Sequence, residues 1–482
     1  MYYPNLDEFI KLTKRGNLIP VFREIVADME TPVSAYKKIN SEYSFLLESV
    51  EGGEKIARYS FLGSNPVKVF KFSARGGSAF GGKGKKDPFP ELKKFISQFK
   101  PVKVAGVPRF HGGLVGYMSY DIVRFIEDIP DKNLDDLKLP DMQFMLTDTI
   151  LAFDHIKHKI LIISNAHVTG DPKKAYKEAV LKIEALEGKI RKPLKTSEFE
   201  IPPVGKKELK IKSNFSEEEF KKIVEKAKEY IRAGDVIQVV LSQRFLANFS
   251  GKEFNTYRIL RTINPSPYMY YLSFGGLKFV GSSPEVMVRL ENDEAVIRPI
   301  AGTRPRGVDE GEDNKLTEDL LASEKEKAEH IMLVDLARND LSRVCEPKSV
   351  KVTEMMNIEK YSHVMHIVSN VVGRLEKNKD AFDLLKASFP AGTVSGAPKV
   401  RAMEIIDELE NLRRGPYAGA IGYFSYSGEM DTCITIRTII FSKGKAYVQA
   451  GAGIVADSNP QAEYHETLNK AKGMLKAIEL SQ

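Results

Sequence analysis

Glu326 and Glu329 stand three residues apart in EKEKAEHIMLVDLARNDLSRVCE, and Glu463 and Glu466 repeat that spacing in QAEYHETLNKAKGML. On a helix, residues three apart share a face. Two such helices side by side bring four carboxylates to one place. That cluster repels itself unless a hard divalent cation such as Mg2+ neutralises it. The same spacing also suits two solvated helix faces in a chain rich in Lys and Glu. Other chemistries are excluded more firmly. GTVSGAPK, from Gly392 to Lys399, has the look of a phosphate loop, but it has one residue too few between its glycines and no Lys directly after the second. There is no GxGxxG after a strand, no GxSxG elbow and no HExxH. His363 and His366 are three apart in a strand-like segment and so fall on opposite faces.

The elements that must carry these residues follow from periodicity. The stretch from Glu324 to Glu346 reads as one long helix, uninterrupted by Gly or Pro until Pro347. Ser216 with Glu219 three residues later forms a capping box, and Gly234 can close the helix that follows. SEYSFLLESV and KIARYSFLGSNP alternate apolar residues on either side of EGGE, which predicts a hairpin. MLTDTILAFDHIKHKILIISNAHV predicts a strand, a turn and a strand, and DPKKAYKEAVLKIEALEG a helix ending at Gly188. Hairpin-like strands with interspersed helices argue for an α+β fold. Residues 1–190 form an N-terminal region, the basic, Pro-bearing stretch 191–212 is the candidate linker, and 213–482 is the candidate catalytic domain.

Composition bounds the rest. The 482 residues suffice for two or three domains or one fused unit, and 72 basic against 65 acidic residues leave a net charge of +7. The Lys clusters at 83–86 and 206–212 have no interleaved aromatics, so no nucleic-acid partner is expected. No 18-residue apolar run exists, so no membrane span is expected. Only Cys345 and Cys433 occur, without a CxxC, which points away from disulfide and zinc-thiolate frameworks and toward a reducing cytoplasm.

From Ser216 onward the chain resembles the chorismate-utilising enzyme family, and over its full length the large synthase subunits within it. The segments GSSPE, RPIAGTRPRG, EKAEHIMLVDLARNDLSRV, VMHIVSNV, FPAGTVSGAPKVRAMEII, GPYAGAIGY, ITIRT and AGAGIVADSNPQAEYHET carry the resemblance, in family order. It implies two orthogonally packed, largely antiparallel β-sheets flanked by helices. It also implies a Mg2+-dependent lyase that makes anthranilate from chorismate and ammonia at the entry to tryptophan biosynthesis. By that match Glu329 and Glu466 are the direct Mg2+ ligands, with Glu326 and Glu463 behind them. Arg437, Tyr417, the backbone N–H groups around Gly451 and Gly453, and Lys470 take the other substrate carboxylate. Glu285 occupies the general-acid position. Gly302, Thr303 and Thr393 line the ring pocket, and His366 lies near the ring, where it assists loss of pyruvate.

Two positions separate branches of the family. Water-using relatives resemble one another in a lysine base where this chain has Gln238, and aminodeoxychorismate synthases carry a lysine where it has Ala301. Both point to the ammonia-using, anthranilate-forming branch. LLES (Leu46, Leu47, Glu48, Ser49) and NPSPYMYY, with Pro267, Tyr268 and Met269, resemble the family's tryptophan feedback site. Neither cysteine sits in a Gly-rich nucleophile turn, so the resemblance implies a separate glutamine amidotransferase subunit that supplies ammonia.

Overall fold

The structure, a computed structural model, describes residues 1–49, 58–73, 87–194, 209–361 and 364–482, together with the backbone of 77 and 78. The EGGE turn, most of the candidate linker, His363 and Lys83, Lys85, Lys86, Lys206 and Lys207 lie outside the described residues.

Two antiparallel sheets form the framework. The first has twelve described strands, in the order Leu18–Val26, Lys159–His167, Thr149–Asp154, Tyr59–Ser64, Tyr43–Glu48, Tyr268–Phe274, Leu277–Ser283, Thr438–Ser442, Lys445–Ile454, Gln238–Asn248 and Ile211–Ser213, with Gly396–Ala397 beside Gln238. The second has eleven, and its centre runs Val364–Arg374, Glu294–Ile297, Val286–Glu291, Met430–Ile434, Ala420–Ser425, Gly113–Met118 and Met142–Thr147. Each sheet therefore interleaves strands from both sides of the 191–212 stretch. Tyr43–Glu48 pairs with Tyr268–Phe274, and Gly113–Met118 with Ala420–Ser425.

The aromatic side chains Phe45, Phe61, Phe110, Tyr117, Tyr270, Phe279 and Tyr423 fill the space between the sheets. Phe110 stacks on Tyr423 at 4.3 Å. The outer face of the first sheet is covered by helices Leu6–Leu12, Pro32–Ile39, Pro172–Ile190, Glu253–Ile263 and Pro460–Leu480, and that of the second by Phe89–Ile96, Glu324–Ser342 and Ala381–Ser388. Burying each large apolar side chain in these layers contributes about 1.5–3 kcal/mol, so the sheet faces, more than helix propensity, hold the fold. No helix among the described residues is long and apolar enough to cross a membrane.

Local signals translate well. The hairpin forms, with Ser44 opposite Ser64 and Leu47 opposite Phe61. Ser216 and Glu219 exchange both capping-box hydrogen bonds, and Gly234 follows the helix at φ +84°. Three readings are corrected. The 142–167 stretch holds three strands, because the chain turns at Asp148 from the second sheet into the first. The helix from Pro172 runs through Gly188 to Ile190, since a solvent-facing glycine with open space around it weakens a helix without ending it. The acidic helix stops at Ser342, short of Glu346, because Cys345 leaves to bridge Leu375 and Glu346 N donates to Arg374 O at 2.8 Å. Pro32–Ile39, Glu253–Ile263, Glu310–Ala322 and Lys399–Leu409 are helices not named from the sequence.

Candidate active site

The chain passes twice from one sheet to the other at the same place. Ser283 ends a strand of the first sheet and Val286 begins one of the second, with Glu285 at the crossing. Ile434 ends a strand of the second sheet and Thr438 begins one of the first, with Arg437 at that crossing. The crossings are tied by Ile434 N donating to Glu285 O and Ser282 N donating to Arg437 O, both at 3.1 Å. Arg437 sits at φ +50°, a left-handed conformation that the turn imposes on a non-glycine residue.

A cavity of about 820 Å³ opens beside these crossings. Glu285, His366, Gly302, Thr303, Thr393, Tyr417, Arg437, Gly451, Gly453 and Lys470 all line it. Glu326 and Glu329 reach it from the acidic helix, and Glu463 and Glu466 from the helix Pro460–Leu480. The equal spacing in two distant stretches thus becomes two carboxylate pairs lining one cavity.

Burial pushes the Glu285 carboxyl up to about 8, and the Lys470 ammonium offsets only part of this. Thr393 lies close enough to lower it somewhat, although its buried Oγ1 is outside hydrogen-bond geometry with any protein atom. His366 Nδ1 is 3.1 Å from the carbonyl oxygen of Gly302 and 3.0 Å from Thr303 Oγ1. A carbonyl only accepts, so Nδ1 carries the hydrogen and Nε2 the lone pair. Burial, reinforced by nearby Arg437, lowers the His366 pKa and favours this neutral form. Burial raises the Tyr417 hydroxyl to about 12. Arg437 donates to Lys470 O at 2.9 Å, and Lys470 Nζ to Gly451 O at 3.0 Å.

Three glycines are required by close approach. A Cβ at Gly451 would stand 2.7 Å from the Tyr417 hydroxyl, and one at Gly453 2.6 Å from Gln238 Nε2. Gly302 has φ +70°, and a Cβ there would stand 3.1 Å from Leu320 Cδ1 and 3.2 Å from Glu326 Oε2.

Three of the four carboxylates are tethered. Glu329 Oε1 accepts from Gln238 Nε2 at 2.8 Å, Glu466 pairs with Lys470 at 2.6 Å, and Glu326 lies 3.5 Å from Arg304. Among the described residues no three Asp, Glu, His or Cys side chains converge as a preformed metal cage. The donor set nonetheless fits a hard cation: it is all carboxylate oxygen, and Glu463 is raised by burial and then by repulsion from Glu466, which bound positive charge relieves.

Gln238, Asn264, Ser282, Gln449 and Asn469 also line the cavity and were not expected there as binding groups. The signal for Gln449 was present in the strand period, since residues 449, 451 and 453 share one face. Asn264 was read only with the second site, yet its Nδ2 donates to Ser282 Oγ at 2.7 Å beside Glu285.

Leu47, Glu48, Ser49, Pro267, Tyr268 and Met269 line a second, smaller cavity of about 60 Å³. The Glu48 carboxylate accepts from Arg261 at 3.1 and 3.2 Å and from the Tyr257 hydroxyl. Ser49 Oγ is buried without a partner. The cavity is also lined by a charge network that the sequence did not reveal: Tyr268 donates to Asp431 at 2.8 Å, Arg289 to the Tyr268 hydroxyl at 3.0 Å, and Arg109 to Asp431 at 3.0 Å. Pro267 lines both cavities.

The chorismate binding enzyme family matches residues 42–476. Anthranilate synthase component 1 of Acetivibrio thermocellus is 52% identical over 490 residues, covering 99% of each chain. That of Aquifex aeolicus (strain VF5) is 50% identical over 489 residues, covering 99% of this chain and 98% of its own. The crystal structure of anthranilate synthase component I from Streptococcus pneumoniae TIGR4 superposes with a TM-score of 0.79 at 40% identity, covering 94% of this chain and 99% of its own. The menaquinone-specific isochorismate synthase of Escherichia coli shares the fold, with a TM-score of 0.70 at 19% identity over 98% of each chain. By family match, identity over nearly its whole length and fold, the chain belongs to the chorismate binding enzyme family, on the branch of the anthranilate synthase component 1 chains.

Proposed function

We propose that this chain converts chorismate and ammonia to anthranilate, pyruvate and water in a Mg2+-dependent reaction. A single observation carries the reading: a buried carboxyl held protonated near neutral pH, Glu285, shares one cavity with a fixed guanidinium, Arg437, and two pairs of carboxylates. Chorismate needs each of these. One substrate carboxylate takes Arg437, the Tyr417 hydroxyl and the N–H groups near Gly451 and Gly453. Glu329 and Glu466 would hold Mg2+ directly, with Glu326 and Glu463 behind them, and a cation bound there would supply positive charge to the ring carboxylate.

In the first step the nitrogen lone pair forms the C–N bond and the ring electrons shift. The ring hydroxyl then leaves as water with the proton of Glu285. In the second step the carbon bearing nitrogen loses its hydrogen as a proton, the ring becomes aromatic, and the ether C–O bond breaks to release enolpyruvate, which takes up a proton as pyruvate. His366, neutral and with Nε2 unprotonated, assists this elimination.

The partner is a glutamine amidotransferase subunit. Both cysteines are buried, and burial raises Cys345 to about 11 and Cys433 further, the opposite of an amidotransferase nucleophile. The purified chain with chorismate, Mg2+ and an ammonium salt at mildly alkaline pH therefore yields fluorescent anthranilate, and with glutamine alone it yields none. A hydroxylated product, or no product even with the amidotransferase added, refutes the reading.

Tryptophan binds the smaller cavity and lowers activity. The orphaned Ser49 hydroxyl and the apolar Pro267 and Met269 suit an indole with a polar edge, and Pro267 joins this cavity to the larger one. Ser49→Phe fills the cavity, so the tryptophan concentration for half-inhibition rises at least about tenfold with kcat little changed. A variant as tryptophan-sensitive as the parent rules out this site.

A further inference from the structure

We infer that Glu410 and Arg414, a buried ion pair behind the larger cavity, are the positioning residues of its carboxylate-binding end; the inference rests on chorismate being the ligand there. Their side chains are 3% and 2% exposed. Arg414 Nε donates to Glu410 Oε2 at 3.0 Å, and Arg414 Nη2 to Glu410 Oε1 at 2.7 Å. Neither residue lines the larger cavity.

What the pair holds does line it. Arg414 Nη2 also donates to Val240 O at 2.7 Å, and Nη1 to Val394 O at 2.6 Å. Glu410 Oε1 accepts from Ser242 N and from Ser242 Oγ, both at 2.8 Å. In the sheet Val240 stands opposite Gly453, and Ser242 opposite Gly451. The pair therefore grips one strand directly across from the two glycines whose N–H groups are assigned to the substrate carboxylate. The Ser242 hydrogen goes to Glu410, so its Oγ is left to accept from Gln449 Nε2 at 2.9 Å. The Arg414 guanidinium also lies 5.6 Å from the centre of the Tyr417 ring. Burial raises the Tyr417 hydroxyl, and Arg414 is the largest influence against that rise. Val240, Val394, Tyr417, Gln449, Gly451 and Gly453 all line the cavity.

Stability does not account for this arrangement. Two charges taken out of water lose their hydration, and a buried pair is often replaced by apolar residues of similar volume with no loss of stability. Apolar residues cannot donate along several fixed directions at once. The planar guanidinium fork, oriented by the carboxylate, sets Val240, Val394 and the Tyr417 ring relative to one another. Donors that converge on one carboxylate must be held to within about 0.5 Å by the residues behind them.

The test uses the full chain with saturating Mg2+ and no ammonium, so that chorismate binds without turnover. Glu410→Leu/Arg414→Met removes both charges together and leaves neither unpaired. Its melting temperature stays within a few degrees of the parent or rises. Its calorimetric dissociation constant for chorismate rises about tenfold or more. Tyr417→Phe supplies a readout that a merely structural pair leaves unmoved. In the parent it weakens chorismate about tenfold, whereas in the paired variant, where the hydroxyl is already displaced, it weakens it by less than about twofold. With ammonium added, the chorismate KM follows the same pattern and the ammonium KM stays within about twofold. Arg414→Lys keeps a cation beside Glu410 but not the fork. It is read in the same way and decides the question if the paired variant does not fold. An unchanged chorismate dissociation constant in a folded variant overturns the assignment. So does a Tyr417→Phe loss of equal size in both backgrounds, which makes the pair a support independent of Tyr417. Failure of the unsubstituted chain to bind chorismate is a separate result and overturns the function itself.

Discussion

Replacing Glu285 by Gln lowers kcat about 10³-fold while leaving the chorismate KM within a few-fold. Glutamine fills the same space at the sheet crossing and keeps the backbone bond from Ile434 N. It cannot give a proton to the departing hydroxyl, and hydroxide is a poor leaving group. The same burial gives the variant a second, opposite signature. Because the folded carboxyl is raised from 4.5 to about 8, the native state holds a proton that the unfolded chain has released between those values. This group's contribution to stability therefore falls as pH rises from about 4.5 to about 8. Glu285→Gln removes that loss, so the variant melts higher than the parent at pH 8.5 and much like it near pH 4.5. In the parent, kcat falls as pH climbs through about 8. Substantial activity in the variant, or a melting difference that does not change with pH, sinks the assignment of Glu285 as the buried acid.

Stripping Mg2+ with a chelator abolishes anthranilate formation, and Glu329→Gln raises the Mg2+ concentration needed for half-activation at least about 100-fold. The substitution is a narrow one. A glutamine carbonyl at 329 still accepts the Gln238 hydrogen bond, so only a negative charge is lost. Binding also shows without turnover. Mg2+ at about 100 times its dissociation constant stabilises the folded parent by about 2.7 kcal/mol, and the variant melts at nearly the same temperature with and without it. A chelator-resistant parent, or equal Mg2+ responses in the two proteins, removes the metal from the mechanism.

The two carboxylate pairs were legible because the i, i+3 spacing is local and occurs twice. The hairpin at Tyr43–Ser64 and the Ser216 cap were legible for the same reason: each depends on residues close in sequence. Glu285 and Arg437 carried no such signal. Their meaning comes from two sheet crossings that are brought together only by long-range pairing, so only the family resemblance marked them. The network of Arg109, Arg289, Tyr268 and Asp431 was invisible because its members come from separate strands whose register no local pattern sets. Gln238 was read for the base it is not. Its hydrogen bond to Glu329 joins a strand to a distant helix and has no counterpart in sequence spacing. The long helix was overrun toward Glu346 because nothing in LSRVCE breaks a helix; what ends it is Cys345 pairing with Leu375.

The interleaving of strands sets a schedule for synthesis. Tyr43–Glu48 leaves the ribosome early, but its neighbour Tyr268–Phe274 is made some 220 residues later. At about 5–20 residues per second that gap lasts ~10–45 s. Through that interval one edge of Tyr43–Glu48 has no partner strand, and Gly113–Met118 waits longer still for Ala420–Ser425. Unpaired apolar edges invite association between nascent chains. Expression with slowed translation or without chaperones should therefore give aggregates rich in chains truncated before residue 268, and those chains should lack the native first sheet.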